Sequence, residues 1–281
     1  MRPANKTVGN VGIAALLALF ALWALMVGGP AAAQTHAGPT CKQPVYLTFD
    51  TGHMGVAPGI AQVLQRQNVK VTFFVAHEKT QQGDGTLGST WAPWWAARAG
   101  EGHAFASHTL DHVYWQADVP GTGEPRFKMR PSAGDQAGQT RPWSATEYCA
   151  SLKQASSRIE ALTGRPSLPL FRAPGGKTSP RLLAAAKACG YAHVGWAPAG
   201  FLGDELPSEK YSNAQLLTQA VERIRAGDVL MAHLGIWSRT DPWAPAVLEP
   251  LIEQLKAKGL CFATLREHPD YQRWIAQHPR G

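Results

Sequence analysis

The 281-residue sequence has few charged residues, only four cysteines and no visible internal repeat. Charged residues make up 17% of the chain and hydrophobic residues 44%, and this balance excludes an intrinsically disordered chain. The composition also excludes a collagen-like repeat and a mini-protein held together by disulfides. A chain of about 250 residues is long enough to bury one large core, as a barrel or a sandwich does, or two smaller ones.

The positive charge of the chain is modest and dispersed. Lys and Arg number 27 and Asp and Glu number 20, which gives a formal net charge of +7 without any run of Lys or Arg. This pattern argues against nucleic acid as a partner. At most it indicates a weak preference for anionic polymers of a cell envelope.

The first 33 residues have the pattern of a secretory signal peptide. Arg2 and Lys6 form a basic start, residues 11–28 are apolar or small, and a small-x-small cleavage pattern follows. We therefore predict removal of residues 1–33 and export to the periplasm or the extracellular space, with a short linker at 34–41. The alternative is an uncleaved segment that tethers the protein to the inner membrane through residues 11–28.

Export to an oxidising compartment allows the four cysteines to form disulfides. No Cys-x-x-Cys spacing is present, which disfavours a zinc ribbon. Cys41 precedes the first predicted strand and Cys261 lies in the last one, and these strands would be neighbours in a closed barrel. Cys149 and Cys189 lie on consecutive predicted helices. We therefore favour the pairs Cys41–Cys261 and Cys149–Cys189, with four buried thiols as the alternative.

Predicted strands and helices alternate along residues 42–267. The strands are predicted at 45–49, 69–75, 103–106, 168–171, 192–196, 229–232 and 260–265. The helices between them are predicted at 60–67, 94–99, 144–163, 180–190, 214–226 and 247–258. This order predicts an α/β protein with a distorted (β/α) barrel of about seven parallel strands, forming a single catalytic domain.

Three segments give further local predictions. Ser144 and Glu147 form a capping box that marks the clearest helix of the chain. Residues 115–143 interrupt the alternation, are rich in Gly, Pro, Arg and Asp, and are predicted to form one long surface loop. Residues 268–281 are assigned to a C-terminal tail.

Unusual polar side chains follow four of the predicted strands. Asp50 ends the first strand, His108 and His112 follow the strand at 103–106, and Arg172 and His233 each come directly after a strand. In a parallel α/β barrel the carboxyl ends of the strands share one face, which carries the active site. We therefore expect these five side chains to converge.

The chemistry of these residues suggests a hydrolytic metal site. A spacing of four residues places His108 and His112 on one side of a helical turn, where two imidazoles can bind one metal ion, although a capped helix start is the alternative. Asp50 would be a ligand or a general base, or simply an ion-pair partner of Arg172. His233 would be a general acid, or a core histidine bonded to the backbone.

The segments that contain these residues resemble the polysaccharide deacetylase family, the NodB-homology carbohydrate esterases. The family motif T-F-D-D-G corresponds to residues 48–52, H-[ST]-x-x-H to residues 108–112 and R-x-P-[YF]-G to residues 172–176. A final motif, a strand that ends in histidine, corresponds to residues 230–233. The resemblance covers roughly residues 42–267.

This resemblance implies metal-dependent removal of N-acetyl groups from a polysaccharide of chitin-like or peptidoglycan type. Asp50 would be the base, and Arg172 would orient it. His108 and His112 would bind a divalent metal, with zinc expected, and His233 would be the acid that protonates the leaving amine.

The sequence departs from the family pattern at several positions. Thr51 stands where the family has a metal-binding Asp, so the metal would be held by two histidines and water, bound weakly, or absent. His53 is a candidate substitute ligand. Gly175, whose N–H would help to hold the oxyanion, replaces an aromatic residue and opens the pocket. The usual D-x-x-D-W segment is not recognisable, and Asp204 is the candidate partner of Arg172.

Substrate contacts are predicted from exposed aromatic and basic residues. Trp237 follows His233 by four residues and is the best candidate to stack on a sugar ring. With Gly175 and Thr51 it completes the predicted substrate-binding set. The basic side chains of the 115–143 segment could meet an anionic glycan, with a solvated surface as the alternative; they are Arg126, Lys128 and Arg130.

Two other functions are also consistent with the sequence. The same scaffold could hydrolyse amide bonds in molecules other than sugars. The substitution at Thr51 also allows a pseudoenzyme that binds glycan without turnover.

Overall fold

A computed structural model of the chain describes residues 41–279. The predicted signal segment, residues 1–33, lies outside the described residues. Within the described part, no helix has both the length and the apolar character needed to cross a membrane.

Strands and helices alternate along most of the described chain. The strands are β1 Pro44–Asp50, β2 Thr72–Val75, β3 Ala104–Ser107, β4 Val113–Val119, β5 Arg126–Pro131, β6 Arg141–Ser144, β7 Leu170–Phe171, β8 Ala192–His193, β9 Val229–His233 and β10 Cys261–Phe262. The α-helices are α1 Ala57–Arg66, α2 Ala92–Gly100, α3 Ala145–Thr163, α4 Pro180–Ala188, α5 Asn213–Arg223, α6 Leu248–Ala257 and α7 Pro269–Gln277.

Parallel strands form the sheet at the centre of the molecule. Its order is β10-β1-β2-β3-β7-β8, and β9 pairs with β1 in addition to this order. The gap between β8 and β9 is bridged by single contacts, such as the N–H of Ala197 donating to the carbonyl of Val229 at 3.0 Å. The sheet is therefore a distorted barrel, and the predicted fold class is confirmed.

Side chains of β1 alternate between the two faces of the barrel wall, as a period of two residues requires. Val45, Leu47 and Phe49 belong to the large core between the strands and the outer helices. Tyr46 packs in a second cluster inside the barrel. Asp50 is the last residue of β1 and lies on the same inner face as Tyr46. The alternation therefore places its carboxylate inside the barrel, at the carboxyl end of the strand.

The predicted long loop at residues 115–143 is wrong, because this segment contributes to an antiparallel sheet of β4, β5 and β6. Burial alternates along β5, where Phe127 and Met129 are buried while Arg126, Lys128 and Arg130 are exposed. The two buried residues pack in a core that includes Tyr148 of α3. The apolar face of this small sheet therefore covers α3, and its basic side chains face solvent.

The helix at α3 begins and ends as predicted. Ser144 accepts a hydrogen bond from the N–H of Glu147, and the Glu147 carboxylate accepts one from the N–H of Ser144. Gly164 ends the helix with a φ of 64°, a left-handed conformation that glycine adopts without steric cost.

The C-terminal segment contains a helix that the sequence analysis did not predict. Residues Tyr271, Trp274 and Ile275 of α7 pack against the inner cluster of the barrel. The indole N–H of Trp274 also donates to the carbonyl of Pro169 at 2.9 Å. This helix therefore covers the end of the barrel opposite the strand exits.

Both predicted disulfides are confirmed. Cys41 is bonded to Cys261, across a sequence separation of 220 residues, and Cys149 is bonded to Cys189, across 40 residues. The first bond joins the start of the described chain to β10, where Pro44 is paired with Cys261 in the sheet. It thus ties together the first and last strands of the barrel.

Replacing Cys41 and Cys261 by serine should lower the free energy of unfolding by about 2–5 kcal/mol, because the unfolded chain regains the freedom that the bond removes. Urea unfolding followed by circular dichroism measures this loss. The matched control replaces Cys149 and Cys189, which close a shorter loop and should cost less. A loss below about 0.5 kcal/mol for the first pair would contradict the prediction.

Candidate active site

A cavity of about 390 Å³ opens at the carboxyl ends of the parallel strands. Its wall includes predicted catalytic, metal-binding and substrate-binding residues; they are Asp50, Thr51, His108, His112, Gly175, His233 and Trp237. Arg172 lies below this wall, fully buried. The structure therefore brings all the predicted site residues to one place.

Asp50 and Arg172 form a buried ion pair at the base of the cavity. The Arg172 guanidinium donates to Oδ1 of Asp50 at 2.7 Å and to the hydroxyl of Thr48 at 2.8 Å. Its other nitrogens donate to the carbonyls of Val194 at 3.2 Å and Gly195 at 3.1 Å. These four bonds fix the guanidinium, and the guanidinium in turn fixes the carboxylate.

The ion pair keeps Asp50 ionised. Burial by itself raises the pKa of this carboxyl, but the interaction with Arg172 first, and those with His108 and His233 after it, outweigh the burial and lower the pKa below its ordinary value. The side chain is only 4% exposed. Its second oxygen, Oδ2, lies 3.6 Å from Nε2 of His108, so it faces the cavity. The expected ion pair with Arg172 is thus present together with an orientation suited to a base.

His108 is a buried, neutral imidazole. Burial lowers its pKa to about 4, although Asp50 acts in the opposite direction. Nδ1 is 2.8 Å from the carbonyl oxygen of Arg172 and, as the donor of this bond, leaves the lone pair on Nε2. A histidine that binds a metal usually donates its other ring N–H in this way.

His112 lies close to His108, but not through the helical turn that the spacing suggested. Thr109 and His112 have positive φ values of 64° and 48°, and residues 108–112 form a turn between β3 and β4. The Thr109 hydroxyl accepts a hydrogen bond from the N–H of Val113 at 2.7 Å, which closes this turn. The two imidazole centroids are still only 4.8 Å apart. The predicted helix is wrong, and the predicted proximity has a different local cause.

Thr51 faces a carboxylate that the sequence analysis did not identify. Its hydroxyl accepts from the N–H of Ala76 at 3.1 Å and donates to Oε2 of Glu78 at 2.6 Å. The other oxygen of Glu78 is 3.8 Å from Nδ1 of His112. Glu78 lies three residues after the end of β2. The other site residues were found by searching for polar side chains that follow predicted strands, and the same search after β2 would have identified Glu78.

His233 is paired with Asp204, which corrects the proposed pairing of Asp204 with Arg172. The Asp204 carboxylate accepts hydrogen bonds from the backbone N–H of His233 at 2.6 Å and from its Nδ1 at 3.0 Å. Burial lowers the pKa of His233, but the charge of Asp204 more than compensates and raises it to about 9. A pKa of about 9 favours the protonated imidazole at neutral pH, and the ring bonds the Asp204 carboxylate and not a backbone group.

The space beside Gly175 is occupied by an aromatic ring from the small antiparallel sheet. A Cβ atom at position 175 would lie 3.0 Å from Cε1 of Tyr114 in β4. The φ of Gly175 is +63°, which also favours glycine. The Tyr114 ring thus packs against Gly175 and limits the opening of the pocket that a glycine at this position was expected to give.

Trp237 is 62% exposed at the rim of the cavity. Its ring contacts His53, with centroids 5.0 Å apart. His53 itself lines a neighbouring cavity of about 290 Å³, and its Nδ1 accepts a hydrogen bond from the N–H of Gly55 at 2.9 Å. His53 thus contacts Trp237 and does not line the cavity that contains His108 and His112, the two histidines for which it was a candidate co-ligand.

The two histidines supply donors that fit a divalent metal ion. Neutral imidazoles are common zinc ligands. Ser132, which follows β5, lies 2.7 Å from Nδ1 of His112, so both rings are held by a bond at Nδ1. Among the described residues no hydrogen bond involves either Nε2 atom. Within residues 41–279, however, no three His, Cys, Asp or Glu side chains are arranged as a ready metal-binding group.

A distorted (β/α) barrel that gathers a carboxylate, a protonated histidine and two adjacent imidazoles at its strand ends has the fold and the site of a barrel hydrolase. The sequence profile of the family described as polysaccharide deacetylase matches residues 37–194, more than half of the chain. The chain therefore belongs to the polysaccharide deacetylase family of hydrolases, whose deacetylases remove N-acetyl groups by cleaving carbon–nitrogen bonds.

Individual proteins resemble the chain in sequence or in fold. A chitooligosaccharide deacetylase of Azorhizobium caulinodans is 24% identical over 234 residues, covering 80% of this chain and 93% of the relative. A family 4 acetyl xylan esterase of Clostridium thermocellum, solved with a cobalt ion, has a TM-score of 0.59 at 19% identity over 85% and 93% of the two chains. A family 4 pseudoenzyme of Bacillus anthracis has a TM-score of 0.57 at 18% identity over 82% and 66%.

Replacing Arg172 by methionine should lower the free energy of unfolding by about 3–5 kcal/mol, because the Asp50 carboxylate would stay buried without its partner. The matched control is Arg66→Met. Arg66 also bonds a carboxylate, Glu249, at 2.6 Å, but its side chain is 54% exposed, and exposed pairs contribute about 0–1 kcal/mol. Denaturant unfolding of the three proteins measures the difference, and equal losses for the two variants would contradict the analysis.

Proposed function

We propose that this protein is a metal-dependent hydrolase that removes N-acetyl groups from an exported or cell-envelope polysaccharide, of chitin-like or peptidoglycan type. The observation that carries the proposal is the placement of an ionised Asp50 and a protonated His233 in the wall of one cavity. An amide hydrolase needs a base for the attacking water and an acid for the leaving amine. The two disulfides support an oxidising location, the periplasm or the extracellular space.

Asp50 is the base of the proposed reaction. Oδ1 is held by Arg172, so Oδ2 is the oxygen that is left to accept a proton on the cavity side. As water attacks the acetyl carbonyl carbon, Oδ2 takes the proton of that water. Because Arg172 is fixed by bonds to Thr48 and to two backbone carbonyls, the carboxylate does not have to reorganise during this step.

His233 is the acid. Asp204 holds its Nδ1, so Nε2 is the nitrogen that delivers the proton to the leaving amine as the carbon–nitrogen bond breaks. The products are acetate and a free amino sugar. A pKa of about 9 keeps this proton in place at neutral pH until the amine, whose basicity rises as the bond breaks, can take it.

The remaining residues bind and orient the substrate. The N–H of Gly175 lies in the cavity wall and donates to the developing oxyanion, and Trp237 offers an exposed indole face for a sugar ring. A divalent ion at His108 and His112, with zinc expected, would lower the pKa of a bound water and polarise the acetyl carbonyl.

Replacing Asp50 by asparagine should lower kcat for acetate release by about 10²–10⁴-fold, because the base is lost. Acetate release is measured on chitin oligomers and on peptidoglycan, and glycan binding is measured in parallel and should persist. Asp135→Asn, at an exposed position outside the cavity, is the matched control.

The same assay separates the competing functions. Acetate release from small amides but not from glycans would replace the proposal with a non-sugar amide hydrolase. Glycan binding with no acetate release by the wild-type protein would favour a glycan-binding pseudoenzyme. That second candidate has specific support in Thr51, which stands in place of the family's ligand Asp, and in the similarity to a pseudoenzyme of Bacillus anthracis.

The variant Asp204→Asn tests the role of His233 through the pH dependence of kcat/KM. His233 is active when protonated, so activity should fall as the pH rises through its pKa of about 9. Removing the charge of Asp204, the main cause of the raised pKa, should move this alkaline limb to lower pH. An alkaline limb that does not move would show that His233 is not the acid.

A further inference from the structure

The cavity contains a carboxylate for which the proposed reaction has no use. Glu78 lines the wall, its side chain is 17% exposed, and it lies beside His112. Among residues 41–279, no Lys or Arg side chain forms an ion pair with it, and Nδ1 of His112 lies 3.8 Å from its carboxylate. A half-buried carboxylate beside an imidazole and without a Lys or Arg partner is an incomplete electrostatic arrangement that a cation would complete.

Glu78 is held in place at both ends. Its backbone N–H donates to the hydroxyl of Thr86 at 3.3 Å, and its carbonyl accepts from the N–H of Thr86 at 2.9 Å. Its carboxylate accepts from the hydroxyl of Thr51 at 2.6 Å. The Thr51 hydroxyl is itself fixed by a hydrogen bond from the N–H of Ala76. These two hydrogen bonds position Oε2 of Glu78 and leave its other oxygen, Oε1, on the side of His112.

Glu78 lies beside the two histidines in the cavity wall. Its Oε1 is 3.8 Å from Nδ1 of His112, the ring nitrogen that bonds Ser132, and the rings of His108 and His112 are adjacent. The Nε2 atoms of the two rings, which make no hydrogen bond among the described residues, are the nitrogens left for an ion that Glu78 would share. Two histidines with one glutamate are moreover a donor set that zinc uses in catalytic sites.

We propose that Glu78 is the third protein ligand of the metal ion, and that it supplies from the loop after β2 the carboxylate that Thr51 does not. Thr51 is then a positioning residue, because its hydroxyl orients the Glu78 carboxylate. This inference rests on the metal dependence in the proposed function. The assignment explains how a metal site can persist although Thr51 replaces the Asp that usually binds the metal in the family.

Metal affinity tests the assignment independently of catalysis. The purified protein is stripped with a chelator and titrated with Co²⁺, and binding is followed by calorimetry and by the visible absorption of the bound ion. Glu78→Gln should weaken Co²⁺ binding by at least about 100-fold, since even partners outside the ligand sphere contribute 10–100-fold. The matched control is Glu205→Gln, the same change in the same cavity wall but near His233. It should leave the affinity within about threefold of wild type.

A rescue variant separates loss of a ligand from loss of structure. In the double variant Thr51→Asp with Glu78→Gln, the carboxylate returns at position 51, and Co²⁺ affinity should recover to within about tenfold of wild type. Thermal unfolding without metal checks that each variant is folded. In crystals of the wild-type protein soaked with Co²⁺, anomalous scattering should place the ion against an oxygen of Glu78.

Three results would overturn the assignment. The first is an equal Co²⁺ affinity for Glu78→Gln and wild type. The second is an ion in the soaked crystal that is held by the histidines and water alone. The third is Co²⁺ binding by the wild-type protein that does not depend on His108. Acetate release by such a protein would leave the proposed function standing. Glu78-dependent Co²⁺ binding without any acetate release would instead support the ligand and remove the catalytic proposal.

Discussion

Arg172 places a full positive charge inside the barrel, and the arrangement of the site depends on how that charge is satisfied. Its guanidinium bonds the carboxylate of Asp50, the hydroxyl of Thr48 and two backbone carbonyls, and it lies over the ring of Phe74 at 4.2 Å. A buried charge is tolerated only when it is paired and fully hydrogen-bonded. The same bonds that make the charge tolerable also keep Asp50 ionised and turn one of its oxygens toward the cavity.

The two ionisable groups of the proposed reaction are set apart by their partners. Asp50 is buried and His233 is largely shielded from solvent, which by itself favours their neutral forms. Arg172 reverses this effect for Asp50 and Asp204 reverses it for His233, so the carboxylate stays negative and the imidazole positive. Two opposite protonation states thus coexist in one cavity wall, which is the condition for acid and base to act in one reaction.

The small antiparallel sheet has a role beyond covering α3. It brings Tyr114 against Gly175 and Ser132 against His112, and both are residues that the sequence analysis did not assign to the site. The alternation of Phe127 and Met129 with basic residues was the available signal for a strand. This signal extends over only the six residues of β5. The surrounding segment is rich in Gly, Pro and Arg, and that composition favoured the prediction of a loop.

The sequence alone determined the barrel, because apolar strands alternate with amphipathic helices and the carboxyl ends of parallel strands must share one face. That rule was sufficient to bring Asp50, His108, His112, Arg172 and His233 together, and cysteine positions on neighbouring elements were sufficient to pair the disulfides. Tertiary structure alone decided the partners of these residues. Asp204 bonds His233 instead of Arg172, and Glu78 meets Thr51 and His112, because such contacts join loops whose paths depend on packing and not on any local period of the sequence.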